Sequence, residues 1–319
     1  MIVVLTGPTA SGKSGMALSL ATSGPLADRL EIITMDSAQV YRGMDIGTAK
    51  PSPDERAAVP HHLIDLINPW QTYSAARFRD DALSALADIR QRGRIPLVVG
   101  GTLLYGRALA GGLSELPETE AAVREAVASE AKAFGWPAMH AALARVDPQT
   151  AARLMPYDAQ RISRALEVFR MSGRPLSAWL ADQAGSVPKP GLETLIWISL
   201  EPRDRSWLHQ RIALRFKHML KRGLLDEVSA LMAQENMHAS LPSMRAVGYR
   251  QCLQWLLGQA DQGSSLEEQG IAATRQFAKR QLTWLRAMPQ RQVFACDDSS
   301  ELSRAQQRLE EALASAATA

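Results

Sequence analysis

The octet Gly7-Pro8-Thr9-Ala10-Ser11-Gly12-Lys13-Ser14 constrains this chain more than any other stretch. It has the Gly-x4-Gly-Lys-Ser form of a P-loop, which works only between a β-strand and a helix. Both flanks comply: Ile2-Val3-Val4-Leu5-Thr6 reads as a buried strand, and residues 15–21 read as a helix. Gly7 and Gly12 let the backbone turn tightly and approach an anion, so successive N–H groups point into one concavity. The helix beginning near Lys13 adds its positive dipole end. Lys13 brings a full charge for terminal phosphate oxygens, and Ser14 a hydroxyl suited to Mg²⁺. The octet predicts a polyphosphate site without saying which polyphosphate.

At 319 residues, 46% hydrophobic and 22% charged, the chain is long enough for one large domain or two. No apolar run nears the ~20 residues of a membrane span. The strand from Ile2 leaves no room for a signal peptide, so a cytoplasmic protein with no membrane partner is expected. Cys252 and Cys296 supply neither a disulfide framework nor a zinc ligand set, and are read as buried thiols. The net charge of +3 is unevenly spread. Residues 203–222 hold seven Lys or Arg against Asp204 alone, and residues 270–291 hold five against no acid. Such stretches suit a polyanion larger than a nucleotide, and equally a solvated helix face.

Leu30-Glu31-Ile32-Ile33-Thr34-Met35 reads as a second strand ending at Asp36. Ligands of open α/β sheets gather at the carboxyl ends of strands, so Asp36 is expected to face the octet. Residues 40–53 are too long for an ordinary connection and read as a functional loop. A short strand is expected at residues 63–66, an amphipathic helix at 74–91, and a buried strand at 95–99 running into Gly100-Gly101-Thr102. From about residue 113 to 190 the pattern turns helical, with helices expected at 118–134, 136–146, 158–171 and 177–183. A strand resumes at 194–200, followed by helices at 206–222, 224–234, 249–258 and 270–286 and an acidic terminal helix from 297. The fold class expected is α/β, a P-loop nucleoside-triphosphate-hydrolase-like core with a parallel sheet, interrupted by an all-α insertion. The core spans residues 1–112 and 191–319, the insertion 113–190.

Asp36 carries three readings: a general base toward an attacking nucleophile, a metal ligand, or the cap of the following turn. The most apolar strand ends in Gly100-Gly101 and lacks the strand-end Asp that holds metal in ordinary P-loop NTPases. A P-loop kinase and an RNA-binding protein with a structural nucleotide site stay open as rivals. The His61-His62 pair has no third ligand at a telling spacing.

The stretch from Asp36-Ser37-Ala38-Gln39 through Gly43-Met44-Asp45-Ile46-Gly47-Thr48-Ala49-Lys50-Pro51, taken with the octet, closely resembles the tRNA isopentenyltransferase (IPP transferase) family. The likeness continues through Pro60-His61-His62-Leu63-Ile64-Asp65 and Val99-Gly100-Gly101-Thr102-Leu103-Leu104-Tyr105. It returns at Gln160-Arg161-Ile162-Ser163-Arg164, at Arg245-Ala246-Val247-Gly248-Tyr249-Arg250, and at Lys279-Arg280-Gln281-Leu282-Thr283-Trp284-Leu285-Arg286. These blocks run in the family's order from Gly7 to Arg286, and Ser14 stands where many relatives have Thr.

The resemblance implies transfer of a dimethylallyl group from dimethylallyl diphosphate, with Mg²⁺, to the exocyclic amine of an adenine. That adenine lies just 3′ of the anticodon in tRNAs reading codons that begin with U. It implies that the octet, Lys13 and Arg215 hold the diphosphate, Ser14 the metal, and that Asp36 acts on the amine while Thr102 lines the channel. It implies anticodon stem-loop contacts from Asp36, Ser37, Ala38 and Gln39, from Thr102, from Arg124 on an inserted helix, and from the three blocks beginning at Gln160, Arg245 and Lys279. Trp284 has the type for stacking, but at helical spacing it is kept in the core, and Tyr249 is open in the same way. A monomer is the simplest expectation.

Overall fold

The computed structural model describes residues 1–111, 116–117, 119–184 and 194–318. β1 (Ile2–Thr6) leads through the octet into α1 (Lys13–Thr22), followed by β2 (Leu30–Met35), α2 (Pro53–Ala58), β3 (His61–His62), α3 (Ala75–Gln91), β4 (Ile95–Gly100) and α4 (Leu103–Leu109). Five helices follow: α5 (Ala121–Phe134), α6 (Trp136–Val146), α7 (Pro148–Ala151), α8 (Ala159–Ser172) and α9 (Leu176–Ala184). The chain then forms β5 (Leu195–Glu201), α10 (Arg205–Lys221), α11 (Leu224–Met232), α12 (Tyr249–Leu256), α13 (Leu266–Arg286), β6 (Gln292–Ala295) and α14 (Ser299–Thr318). Two compact units result, Met1–Ala110 with Glu193–Ala319, and Gly111–Leu192.

The first unit is built on a six-stranded sheet of order β3-β2-β4-β1-β5-β6. Every pairing is parallel. Strands β1, β2 and β4 are buried at every residue, as parallel strands covered on both faces must be. Val3, Leu5, Leu97 and Leu200 pack under Leu20 of α1 and Leu309 and Leu313 of α14. Val4, Ile33, Val98 and Trp197 on the other face pack under Phe78, Leu86 and Ile89 of α3. Fully burying each of those three α3 side chains contributes about 1.5–3 kcal/mol. A further core joins α10 to α13 beneath the octet, through Ala10, Ile212, Leu282 and Leu285.

The expected strand at residues 63–66 lies two residues earlier, as β3 at His61–His62. The chain leaves the sheet because Leu63 and Asp65 take left-handed conformations (φ 61° and 55°), and Asp65 turns to Lys50 and Arg56 at 2.6 and 2.7 Å. β6 carries little signal because it is only four residues long and Ala295 alone among them is buried, Val293 being exposed. α13 begins four residues before its expected start, at a Ser265/Glu268 capping box. The first residue of the expected 118–134 helix lies outside the described residues; the observed helix begins at Ala121.

Residues 40–53 are held as an ordered loop by two charged groups. The buried Lys50 ammonium donates to the Tyr41 carbonyl (2.6 Å) and the carboxylates of Asp45 (2.7 Å) and Asp65 (2.6 Å). The Glu227 carboxylate on α11 accepts from the N–H groups of Asp45, Ile46 and Gly47 at 3.0, 2.7 and 3.2 Å.

The second unit has its own core, in which Val127, Met139, Leu143, Ile162 and Leu166 of α5, α6 and α8 meet. Asp147 caps α7 through the Thr150 N–H and also accepts from the Ser177 N–H, while Arg170 forks onto Glu130 at 2.8 and 2.7 Å.

Candidate active site

The octet turns where only glycine fits. Gly7 has φ +148°, and a Cβ there would lie 2.5 Å from the Leu200 carbonyl oxygen. Gly12 (φ +96°) sits immediately before α1. Ala10 between them is also left-handed (φ 65°), a costly conformation held from outside by Arg211 of α10, whose Nε donates to the Ala10 carbonyl at 2.8 Å. Arg211 in turn stacks over Trp207, 4.8 Å from its ring centroid. Ser11 is 2% exposed, and its Oγ has no hydrogen-bond partner among the described residues. A buried polar atom left unpaired at an anion-binding loop is a place for a ligand oxygen.

Lys13 and Arg215 converge beside this loop. The Lys13 ammonium reaches the Pro8 carbonyl at 3.2 Å. Burial first, and the Arg215 charge second, pull its pKa down to about 8, against the opposing field of Asp36. Burial lowers the Arg215 guanidinium as well, again against Asp36. Two cations crowded together beside the single carboxylate of Asp36 leave an excess of positive charge that favours an anionic ligand. Because Lys13 sheds its proton above about pH 8, binding a diphosphate at higher pH must take a proton up. Affinity for a diphosphate monoester is expected to fall toward about tenfold per pH unit above that point and to be flat below it. Binding titrations between about pH 7 and 10 check this, and the break should vanish in Lys13→Met.

Asp36 follows β2 and shares a cavity with Lys13 and Arg215, as its strand-end position implied. Its Oδ1 accepts from the N–H groups of Ala38 (2.8 Å) and Gln39 (3.3 Å). Oδ2 makes no hydrogen bond among the described residues. The cap reading and a chemical role therefore coexist on the two oxygens of one carboxylate. Thr102 does more than end a strand: its Oγ1 accepts from the Ser37 N–H at 3.0 Å and links the ends of β4 and β2. The glycines in place of a β4 strand-end Asp have a steric reason. A Cβ on Gly100 would lie 2.0 Å from the Met35 carbonyl oxygen, and one on Gly101 would lie 2.4 Å from Gln281 Nε2.

Three cavities adjoin at these groups. One of about 150 Å³ is lined by Lys13, Ser14, Asp36 and Arg215 and runs down β2 past Thr34 to Ile32, with Gln39 and, from the ordered loop, Thr48, Ala49 and Pro51 forming another wall. A groove of about 800 Å³ on the α1–α10 side contains Lys13, Arg211, Arg215, His218 and Arg222 and no carboxylate among its lining residues. A third cavity, about 270 Å³, is bounded by Ser37, Thr102, Arg245, Ala246, Val247 and Arg280. Lys13, Ser14 and Arg215 border the first two; Asp36 and Arg215 border the first and third.

The RNA-contact residues implied by the resemblance divide into exposed and committed ones. Lys279, Arg280, Thr283, Trp284 and Arg286 lie exposed on α13, and Arg245 and Arg250 are exposed nearby in sequence. Trp284 is 40% exposed, which corrects its placement in the core. Leu282 and Leu285 point inward instead, packing beneath the octet. Tyr249 is 0% exposed, with its hydroxyl on Glu227 at 2.5 Å, so it has no free ring face for stacking. Gly248 is buried too, its N–H on the Gln251 side chain. The Gln39 amide is spent on the Thr48 and Ala49 carbonyls.

Gln281 is 6% exposed and is a clamp rather than a surface contact. Its Oε1 accepts from the Thr9 N–H at 2.8 Å and its Nε2 donates to the Gly101 carbonyl at 3.0 Å, tying α13 to the octet and to the end of β4. Gln281→Leu leaves both backbone groups unpaired and is expected to cost about 1–3 kcal/mol. Thermal melting with and without diphosphate checks it, the shift growing when diphosphate is present because the octet is the part loosened.

In the second unit, Arg124, Gln160 and Arg161 are exposed, Arg161 holding Asp158 at 2.9 Å. Ile162 is 0% exposed and belongs to the core. Ser163 donates to Glu167 at 2.7 Å, and Arg164 donates to Thr119 and to the Pro117 carbonyl. Residue type and order signalled all of these positions; which of them face inward depends on packing partners far away in sequence. Arg211 was missed for the same reason, since nothing adjacent marks a helix arginine as the support of a loop 201 residues away.

Residues 39–288 match the IPP transferase family. A tRNA dimethylallyltransferase of Acidovorax sp. (strain JS42) is 57% identical over 297 residues, covering 92% of this chain and 91% of that protein. One of Polaromonas sp. (strain JS666) is 55% identical over 312 residues, covering 94% and 92%. Among solved structures, the full-length tRNA isopentenylpyrophosphate transferase of Bacillus halodurans superposes with a TM-score of 0.66 at 32% identity over 97% of both chains. A eukaryotic dimethylallyltransferase described as acting on tRNA superposes with a TM-score of 0.74 at 26% identity, over 94% of this chain and 74% of that one. With a family match over most of its length and relatives more than half identical along nearly all of it, the chain belongs to the IPP transferase family, the enzymes that transfer a dimethylallyl group to tRNA.

Proposed function

We propose that the octet, Lys13 and Arg215 hold the diphosphate of dimethylallyl diphosphate, and that Asp36 receives a proton from the exocyclic amine of the adenine just 3′ of the anticodon, in tRNAs reading codons that begin with U. One observation carries this reading. A carboxylate with a free oxygen and two crowded cations border one cavity of about 150 Å³, which adjoins a second bordered by Arg245 and Arg280. In the reaction the allylic C–O bond breaks with its electron pair going to the diphosphate, and the amine nitrogen forms the new bond to that carbon. The cations stabilise the departing charge. An aryl amine is a weak nucleophile, and a positioned carboxylate that takes its proton assists it.

Mg²⁺ fits the residues present in the manner that ion prefers, with few protein ligands and the remaining positions left to phosphate and water. Ser14 would offer its exposed hydroxyl and Asp36 would stand nearby. The ion, once bound, would supply positive charge to the diphosphate. No cluster of three or more His, Cys, Asp or Glu suited to a metal occurs among the described residues. His62 is engaged with Glu31 at 2.7 Å, and His61 with the Val59 carbonyl. No helix among the described residues is long and apolar enough to cross a membrane.

The deciding experiment supplies labelled dimethylallyl diphosphate and an anticodon stem-loop, with ATP turnover followed in parallel. Label should enter the RNA at that adenine when Mg²⁺ is present. Steady ATP consumption with no labelled RNA would point to a kinase instead. We assign the helical insertion, residues 113–190, to the anticodon stem, through Arg124 and Arg161 with Arg164. Replacing the three by alanine should weaken stem-loop binding by roughly 10- to 100-fold, each phosphate contact having an electrostatic share. Diphosphate binding should stay unchanged in a parallel titration, and equal weakening of both would overturn the assignment.

A further inference from the structure

The 150 Å³ cavity and the 270 Å³ cavity share five lining residues: Thr9, Asp36, Thr48, Arg215 and Phe277. Four of these are polar, and Thr48 has committed its hydroxyl to the Met44 carbonyl at 2.6 Å. Phe277 supplies the one ring of that shared wall, on a half-buried turn of α13. Its place is well supported. One turn further along α13, Gln281 ties the helix to Thr9 and Gly101, and Ala278 beside it is packed in the core under the octet. The Arg280 guanidinium, which also borders the 270 Å³ cavity, lies 5.8 Å from the ring centroid.

We infer that Phe277 is the stacking wall for the acceptor base, a positioning residue that holds the adenine with its amine at Asp36. The inference rests on the proposed reading of the two cavities as donor and acceptor sites. A base drawn out of an RNA loop loses its neighbours, and an aromatic or apolar wall in the receiving pocket replaces that stacking. A ring within the wall shared with Asp36 and Arg215 fixes the plane of the base where the amine must meet the allylic carbon. The polar members of the wall orient through hydrogen bonds and charge, and none of them offers a flat apolar face.

The test uses the full chain and a stem-loop with 2-aminopurine in place of the target adenosine, a base that lacks the reacting amine. In Phe277→Trp the indole should quench the bound probe by contact, lowering its emission at least about threefold below the wild-type complex, as stacking requires. A probe one nucleotide away should read the same in both proteins. With the natural stem-loop, Phe277→Ala should lose roughly 10- to 100-fold in kcat/KM for RNA, the usual weight of one base–aromatic stack, while donor KM stays within about twofold. Phe277→Tyr should restore the loss. Equal probe emission in Phe277→Trp and wild type, or a donor KM that rises as far as the RNA term falls, overturns the inference. If wild type transfers label to RNA and the quench is absent, only the stacking assignment falls. If wild type transfers no label, the donor–acceptor reading falls and takes this inference with it.

Discussion

Asp36→Ala is expected to lower kcat for dimethylallyl transfer by roughly 10²- to 10⁴-fold, the range for removing a positioned general base. On the proposed assignment the amine loses the group that receives its proton, while Lys13, Arg215 and the octet keep their hold on the diphosphate. Donor KM should therefore change little in comparison with kcat. The geometry also separates the two roles of this carboxylate. Oδ1 caps the turn through the Ala38 and Gln39 N–H groups, which Asp36→Asn can still do with its amide oxygen. Alanine loses that cap as well, at a cost of about 1 kcal/mol in stability. The asparagine variant should thus keep the cap and still be slow, whereas alanine should be slow and less stable than asparagine by the lost cap. Paired melting curves and single-turnover rates check this. An asparagine variant with nearly wild-type kcat would leave Asp36 only its capping role.

Glu227→Ala carries the largest expected loss of stability. One carboxylate accepts from three successive loop N–H groups, at Asp45, Ile46 and Gly47, and from the buried Tyr249 hydroxyl. Removing it leaves these donors without a partner, and hydrogen bonds to a charged acceptor are the stronger kind. A loss of about 3 kcal/mol or more is expected, with a fall in Tm of roughly 6–12 °C for a unit of this size. Gly47 cannot adjust by moving inward, because its α-carbon already sits against Tyr249, where an added Cβ would be 2.4 Å from the ring. Since Thr48 and Ala49 line the 150 Å³ cavity, kcat/KM should fall together with Tm. Glu227→Gln keeps one carbonyl acceptor and should lose about half as much. Calorimetry of the three proteins decides the matter, and an unchanged Tm in the alanine variant would mean that the loop is held by Lys50 alone.

The parts of this protein legible in its sequence are those whose cause is local. Gly7 and Gly12 are needed because the backbone there turns left-handed or presses against Leu200, and the strand before and helix after them follow from short-range apolar pattern. A helical segment is signalled where alanine-rich helical periods replace strand-like runs for nearly eighty residues, and Asp36 is signalled because the strand-like run Leu30–Met35 stops at a carboxylate. The family likeness likewise rests on strings of adjacent residues. Tertiary structure alone decided which side of each motif faces inward. Within the single block that begins at Lys279, Gln281 is a buried clamp, Leu282 and Leu285 are core, and Trp284 is exposed, because one face of α13 packs beneath the octet. Arg211 supports Ala10, Glu227 holds residues 45–47, and Phe277 reaches the wall between two cavities through contacts that span most of the chain. A side chain's neighbours along the sequence set its conformational preferences, but burial and hydrogen-bond partners come from segments brought together only by folding, and those decide what the side chain is free to do.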